Sequence, residues 1–409
     1  MNKNIKLAVA GAVLAMSASA ANAGIVIPAG DWTLDVNGNV NAYAIFGKAK
    51  DSNVIAGGLA NTKDATGESN GQGINTGLLP AWLGFTGTTR QNDVDVSFTI
   101  SMQPNVSDQA ISGDVKVPLF RQANMTFGDK SWGSVKLGKD IGIFASNAIL
   151  NDMTLLGVGA GNAMSGGSTT LGGIGSGYIY AGWKGQVAYT TPNFNGFQAT
   201  VGITNPNQGV ASALSGAVNT LNQDRFGFEG QANYSFAADG FSGKVWVGGA
   251  TYNVKPTAAI EYTSTAADIG LNLNAGNLGL TGYYYTAEGA GSYMYHSNAV
   301  SQAGNKRDSD GGYVQVTYVL PTKTKFGLAY GVSKLDLASG ETVAQAQVTS
   351  GTTLNAALFS ENERTTAGLY HPLTKHLNLV GEYNNVESKA HVGTKNTSQT
   401  VSLGAILFF

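Results

Sequence analysis

"DWTLDVNGNVNAYAIF", residues 31 to 46, decides the fold. Trp32, Leu34, Val36, Val40, Ala42, Ala44 and Phe46 share one parity, while Thr33, Asp35, Asn37, Asn39, Asn41 and Tyr43 share the other. Period-two alternation of this length describes a strand with one apolar and one wet face. A sandwich strand alternates in the same way over a shorter run, so one instance does not separate the two readings.

Repetition separates them. "VDVSFTI" sets Val94, Val96, Phe98 and Ile100 against Asp95, Ser97 and Thr99, and "FQATVGI" sets Phe197, Ala199, Val201 and Ile203 against Gln198 and Thr200. "RFGFEGQANYSF" places Phe226, Phe228, Ala232, Tyr234 and Phe236 opposite Arg225, Glu229, Gln231, Asn233 and Ser235. "DIGLNLN" places Ile269, Leu271 and Leu273 opposite Asp268, Asn272 and Asn274. A face this polar is not a packed sandwich core. The pattern describes a barrel with lipid outside and water inside.

Connections give the strand count. Short turn signals occur at 88–93, 128–132, 192–196, 237–240, 275–277, 321–324 and 372–376. Longer stretches rich in Gly, Ser, Ala and Asn lie between them, at 47–78, 103–118, 141–178, 204–224, 254–266, 287–311, 336–362 and 387–396. Strict alternation of the two kinds makes an all-β, antiparallel, 16-stranded transmembrane barrel, with both chain ends on the short-turn, periplasmic side. Side chains cannot fill a barrel of this width, so its lumen holds water or a plug. Alternation begins soon after residue 24, which leaves no plug domain, and an open lumen narrowed by a loop is expected. Aromatic residues flank the short turns, as Phe127 with Trp132, Phe194 with Phe197 and Phe236 with Phe241, as in an interfacial girdle.

The two ends agree. Residues 1–23, "MNKNIKLAVAGAVLAMSASAANA", carry Lys3 and Lys6, a short apolar run and a small-residue site at Ala21-Asn22-Ala23, so a removable signal peptide is expected before a barrel spanning 24–409. No other segment approaches the length of a helical span. Without the leader the 24 basic residues fall by two against 26 acids. A chain that acidic offers no surface for nucleic acid. At the other end, "SLGAILFF" gives Val401, Leu403, Ala405, Leu407 and Phe409 the lipid-facing parity. It reads as the sixteenth strand, which has to pair with the first because hydrocarbon tolerates no open edge.

Several patches carry a resemblance. "AWLGFTG" (81–87), "FRQANMTFGDKSWGSVKLGKD" (120–140), "VAYTTPNFNGFQATVGI" (187–203) and the terminal Phe409 resemble the Gram-negative general porin family, in particular porins of the β-proteobacterial type. The resemblance implies a trimer of 16-stranded barrels in the outer membrane, in contact with its lipid and lipopolysaccharide. It implies a third loop, here 141–178, folded inward as a constriction. It further implies that Phe409, with Leu407, addresses the strand to the barrel-assembly machinery. The family's two lumen arginines in the second strand correspond here to Trp82 and Thr86. Basic positions persist at Arg121 and Lys139, and parity puts Lys136 on the lumen face. The loop's acids are Asp152 and, at its entrance, Asp140. With five arginines in the whole chain, an arginine ladder does not carry over.

Other chemistry is thin. His296 and His391 fall in loop segments, and His371 and His376 bracket a turn without acidic company, so neither metal ligation nor a hydrolase centre follows. "GGIGSG" (172–177) opens no helix, and Asp308 with Asp310 lacks the glutamate that closes a calcium loop. Lumen acids such as Asp35, Asp95, Glu229 and Glu382 either set selectivity or hydrate the wall. The reading is a porin without catalysis, metal or cofactor, passing small hydrophilic solutes and ions by passive diffusion. Arg121, Lys136, Asp140, Asp152 and Trp82 are its constriction candidates. Two rivals stay open: a substrate-selective channel using Trp82 as a stacking wall, and a structural or adhesive surface barrel with a shut lumen.

Overall fold

The computed structural model describes residues 24–104, 106, 119–161, 169–206, 225–257, 260–293, 296–350 and 353–409. The expected signal peptide, most of 103–118 and nearly all of 204–224 lie outside them.

The first strand, β1 (Trp32–Ala49), is the long alternating segment. β2 is split into Asn70–Asn75 and Trp82–Gln91, and both halves pair with β1. There follow β3 (Val94–Gln103), β4 (Leu119–Asp129), β5 (Gly133–Ile141), β6 (Trp183–Thr190), β7 (Phe197–Thr204) and β8 (Gly227–Ala238). Next come β9 (Phe241–Thr257), β10 (Ile260–Ala275), β11 (Leu278–Glu288) and β12 (Asp308–Val319). β13 (Lys325–Leu335), β14 (Thr353–Pro372), β15 (Leu377–Ala390) and β16 (Lys395–Phe408) complete the barrel. Each pairs antiparallel with its sequence neighbour, and β16 returns to β1, with Val40 opposite Leu407 and Ala44 opposite Leu403. The barrel therefore has sixteen strands and no free edge in its wall, as the alternation requires.

Parity is obeyed. Val40, Phe46, Val201, Phe228, Ile269 and Leu403 are exposed on the outside, while Asn39, Asn41, Glu229 and Gln315 are buried inside. At the periplasmic rim the rings of Phe127 and Trp132 lie 6.4 Å apart, and those of Phe236 and Phe241 5.7 Å apart. All seven short connections join consecutive strands.

Two of the expected long loops are instead tall hairpins. β9 and β10 stay paired up to Thr257 opposite Ile260, and β15 and β16 up to Lys389 opposite Lys395. Beyond the hydrocarbon the outer face of a strand no longer meets lipid, so the hydrophobic alternation fades while the backbone ladder continues. Segments such as Thr263-Ser264-Thr265 and Glu387-Ser388-Lys389 then have loop composition without loop structure.

The inward face is also less uniformly wet than alternation suggests. Tyr43, Ile45, Val380, Ile406 and Phe408 point inward and are buried with Val158. Trp246, Tyr283, Tyr285 and Tyr313 enclose Leu78, Ile149, Leu155 and Ile174 in a second cluster. Both clusters exist because the segment between β5 and β6 lies inside the barrel and excludes water from the wall it covers.

At the seam, β16 ends with an exchange of backbone bonds in which Gly38 N donates to Phe409 O (2.8 Å) and Phe409 N donates to Gly38 O (3.0 Å). Below that point a short strand, Ile25–Ala29, takes over the same edge of β1, with Ile25 opposite Val36 and Ala29 opposite Trp32. Gly38 has no side chain where the Phe409 ring lies: a Cβ there would sit 2.8 Å from the ring and 2.2 Å from the Trp82 carbonyl oxygen. Gly38→Val overpacks the seam and is expected to cost about 1–3 kcal/mol. Heat-modifiable gel migration checks this; the variant's folded band should convert at a lower temperature than wild type.

Candidate functional site

The described parts of the segment 142–182, residues 142–161 and 169–182, lie in the lumen and fold there. Its helix, α1 (Ser146–Leu150), is followed by a 3-10 turn, Met153–Leu156, capped by the Asp152 side chain. A chain inside a barrel joins no strand of the wall, so the buried N–H groups that its own turns and bridges leave unpaired need acceptors from elsewhere. Here carboxylates supply many of them.

Glu229 on β8 holds the loop's entry. Its Oε2 accepts from the N–H groups of Ile143 (2.6 Å) and Phe144 (2.9 Å). Its Oε1 accepts from Lys184 Nζ (2.6 Å) and Tyr252 Oη (2.8 Å). Asp152 holds the middle: it accepts from Thr154 N, Gly173 N and Tyr178 Oη, each at 2.9 Å, with the Arg364 guanidinium 3.6 Å away. Glu382 on β15 holds the far end, accepting from Val158 N (2.9 Å), Gly159 N (2.8 Å) and Tyr370 Oη (2.6 Å). Gly157 has to be glycine for this approach, since a Cβ would sit 1.9 Å from Glu382 Oε1.

Contacts without a carboxylate finish the fastening. Lys244 Nζ donates to Asn147 Oδ1 (2.6 Å), and Asn147 Nδ2 donates to Gln231 Oε1 (2.5 Å). Met153 N donates to Gln315 Oε1 (2.8 Å), Tyr313 Oη to the Ala148 carbonyl (2.8 Å), and Tyr43 Oη to the Leu156 carbonyl (2.7 Å). These anchors lie on β8, β9, β12, β14, β15 and β1. Across the lumen, on β2 to β7, the inward side chains Thr86, Thr99, Asn124, Thr126, Lys136 and Thr200 remain partly exposed. The water-filled gap therefore runs between the loop margin and that wall. Between Ser146 and Gly161 only Leu150, Asn151, Leu156 and Gly161 are partly exposed.

The structure brings two of the sequence candidates together. Lys136 Nζ contacts Asp140 Oδ2 at 2.5 Å, and Asp140 Oδ1 accepts from Gln122 Nε2 (3.0 Å) and Ile141 N (2.9 Å). The other candidates stand apart. Arg121 lies over the Trp183 ring, 5.9 Å from its centroid, and reaches Tyr180 Oη at 3.4 Å where the loop rejoins the wall. Asp152 has no exposed side-chain surface. Trp82 faces the lumen opposite Asn39, with its indole lying over Gly84. Leu407 faces outward, and Phe409 sits at the seam.

Glu229 and Glu382, read in the sequence as lumen acids, are loop fasteners. Arg364 was missed, although it shares the inward parity of Asn362 and Thr366; its partner Asp152 lies on the inward loop, far off in sequence. His296 also differs from an exposed loop histidine. Its ring lies 5.2 Å from that of Tyr252, edge to face, and burial, reinforced by the Lys184 charge, pushes the imidazole down to about 3.

Glu382→Ala orphans two buried N–H groups and frees Tyr370, at about 1–3 kcal/mol for each unsatisfied group. Single-channel records of that variant should show open-state current noise well above wild type, at unchanged barrel yield. Quiet wild-type-like traces would remove Glu382 from the fastening.

A search of curated protein sequences finds no match. Among solved structures, the outer-membrane channel DcaP of Acinetobacter baumannii superposes with a TM-score of 0.66 at 18% identity, covering 95% of this chain and all of that one. The trimer form of OmpT from Vibrio cholerae matches at 0.54 and 13% identity, over 92% and 99% of the two chains. OmpF of Salmonella typhi, in complex with daunomycin, matches at 0.55 and 13% identity, over 94% and 100%. At these identities the likeness is one of fold. The family model of the Gram-negative porins matches residues 8–391, nearly the whole chain, and the protein therefore belongs to the Gram-negative porin family.

Proposed function

We propose that small hydrophilic solutes and ions cross through the gap between the margin of loop 142–182 and the wall formed by β2 to β7. As a member of its family the protein is a channel of the bacterial outer membrane for passive diffusion, not an enzyme. The observation that supports this route is the one-sided fastening of the loop. Its anchors hold it against one part of the wall, while Thr86, Thr99, Asn124, Thr126, Lys136 and Thr200 on β2 to β7 keep contact with water.

Within the gap, Lys136 with Asp140 forms the charged element of the wall. Asp152 acts on the aperture indirectly, by keeping the loop in shape. Arg121 guards the upper approach beside Tyr180 and Trp183, and Trp82 lines the wall below. A homotrimer is the assembly state, by analogy with the trimeric neighbour, and lipid with lipopolysaccharide surrounds it. Leu407 and Phe409 present the last strand to the barrel-assembly machinery.

Planar bilayers with a salt gradient test the reading. Ohmic open-channel current is expected, in steps grouped by three, and Lys136→Gln should move the reversal potential toward cations. Inserted protein that carries no current would sink the route and favour a shut surface barrel.

A further inference from the structure

We propose that the aperture favours solutes with an apolar edge, passing small zwitterionic or neutral solutes that carry a short aliphatic or aromatic group faster than equally sized polar ones. This deepens the diffusion reading and rests on it.

The loop margin is the reason. Inside a closed barrel, a partly exposed side chain of the loop meets lumen water; among the described residues of the loop these are Leu150, Asn151 and Leu156 on its first arm and Thr169, Leu171 and Tyr180 on its return. Leu79, from the stretch that splits β2, is partly exposed beside Leu156, since both pack on the same inward cluster. Trp82 follows on the wall below. The acids that could have charged this margin are turned away: the Asp152 side chain is fully buried, and that of Asp140 is 3% exposed and paired with Lys136. A charged margin holds oriented water that an apolar group cannot replace; a leucine margin holds water that it can. The facing wall supplies hydroxyl and amide groups from Thr86, Thr99, Asn124 and Thr126, which serve the solute's polar side and keep the gap wet. A solute with one apolar and one polar side matches both walls at once.

Valine and threonine isolate the property, being nearly isosteric zwitterions that differ by a methyl against a hydroxyl. Swelling of proteoliposomes, corrected for protein-free vesicles, should be about two- to fourfold faster with valine than with threonine, the range expected for partial to full cover of one methyl group. Leu150→Asn and Leu156→Asn should each bring the ratio toward one. If Leu156→Asn fails to give a heat-modifiable barrel, Leu150→Asn and Trp82→Thr carry the test. Equal rates in wild type, or a ratio that these variants leave unchanged, overturn the proposal while the channel stands. Absence of swelling with either solute overturns the channel and the proposal together.

Discussion

Every feature of this molecule follows from the cost of an unpaired backbone group in hydrocarbon, several kcal/mol for each. That cost forbids an edge, so β16 has to meet β1, and it fixes the register because a slip by one residue would turn Val40, Leu403 and Leu407 inward. Closure with sixteen strands then sets a width that wall side chains cannot fill. The interior has to be occupied by water, by more chain, or by both. The described parts of loop 142–182 are the additional chain, and they meet the same accounting again inside, where a few bridges of their own leave other N–H groups without a backbone partner.

The wall answers with buried carboxylates. Bonds from N–H donors to an ionised acceptor contribute roughly 1.5–3 kcal/mol each, about twice a neutral pair. Desolvating the carboxylate offsets much of that gain, so these contacts do less for total stability than for choosing one loop path among many. Glu229 illustrates the balance. Lys184 reaches it at 2.6 Å and both side chains are almost wholly buried, so losing either partner would leave an uncompensated charge within the barrel. Apolar packing then completes what the carboxylates begin, with Ile149, Leu155 and Val158 pressed onto inward tyrosines and aliphatic side chains.

Alternation made the barrel legible because lipid and water on opposite faces impose a period of two, and that period is local to each strand. Strand number, closure through "SLGAILFF" and the inward third loop could be read in this way or by resemblance. Strand height could not, since the signal ends where lipid ends, and 387–396 has the composition of a loop although strands run to Ala390 and from Lys395. The loop's supports were hidden for a different reason. Glu382 and Gly159 lie 223 residues apart in sequence, and nothing local in "VGEYNN" says whether its glutamate faces water or a folded loop. Parity gave the direction of each side chain; what waits there is a tertiary property.

The same reasoning explains the chain's sparing use of charge. Arg364 stands by Asp152, and Arg90 reaches Asp95 and Asp129 at the periplasmic rim. Arg307 forms a two-pronged pair with Glu341, at 2.6 and 2.9 Å, joining the extracellular segments 289–307 and 336–346. Against the upward push of burial, that arginine's hydrogen bonds hold the Glu341 carboxyl below its usual range. Charges here hold segments together. A barrel that commits most of its arginines and buried acids to fastening leaves little charge for the aperture beyond Lys136, and the surface left to meet a passing solute is largely leucine on one side and hydroxyl and amide on the other.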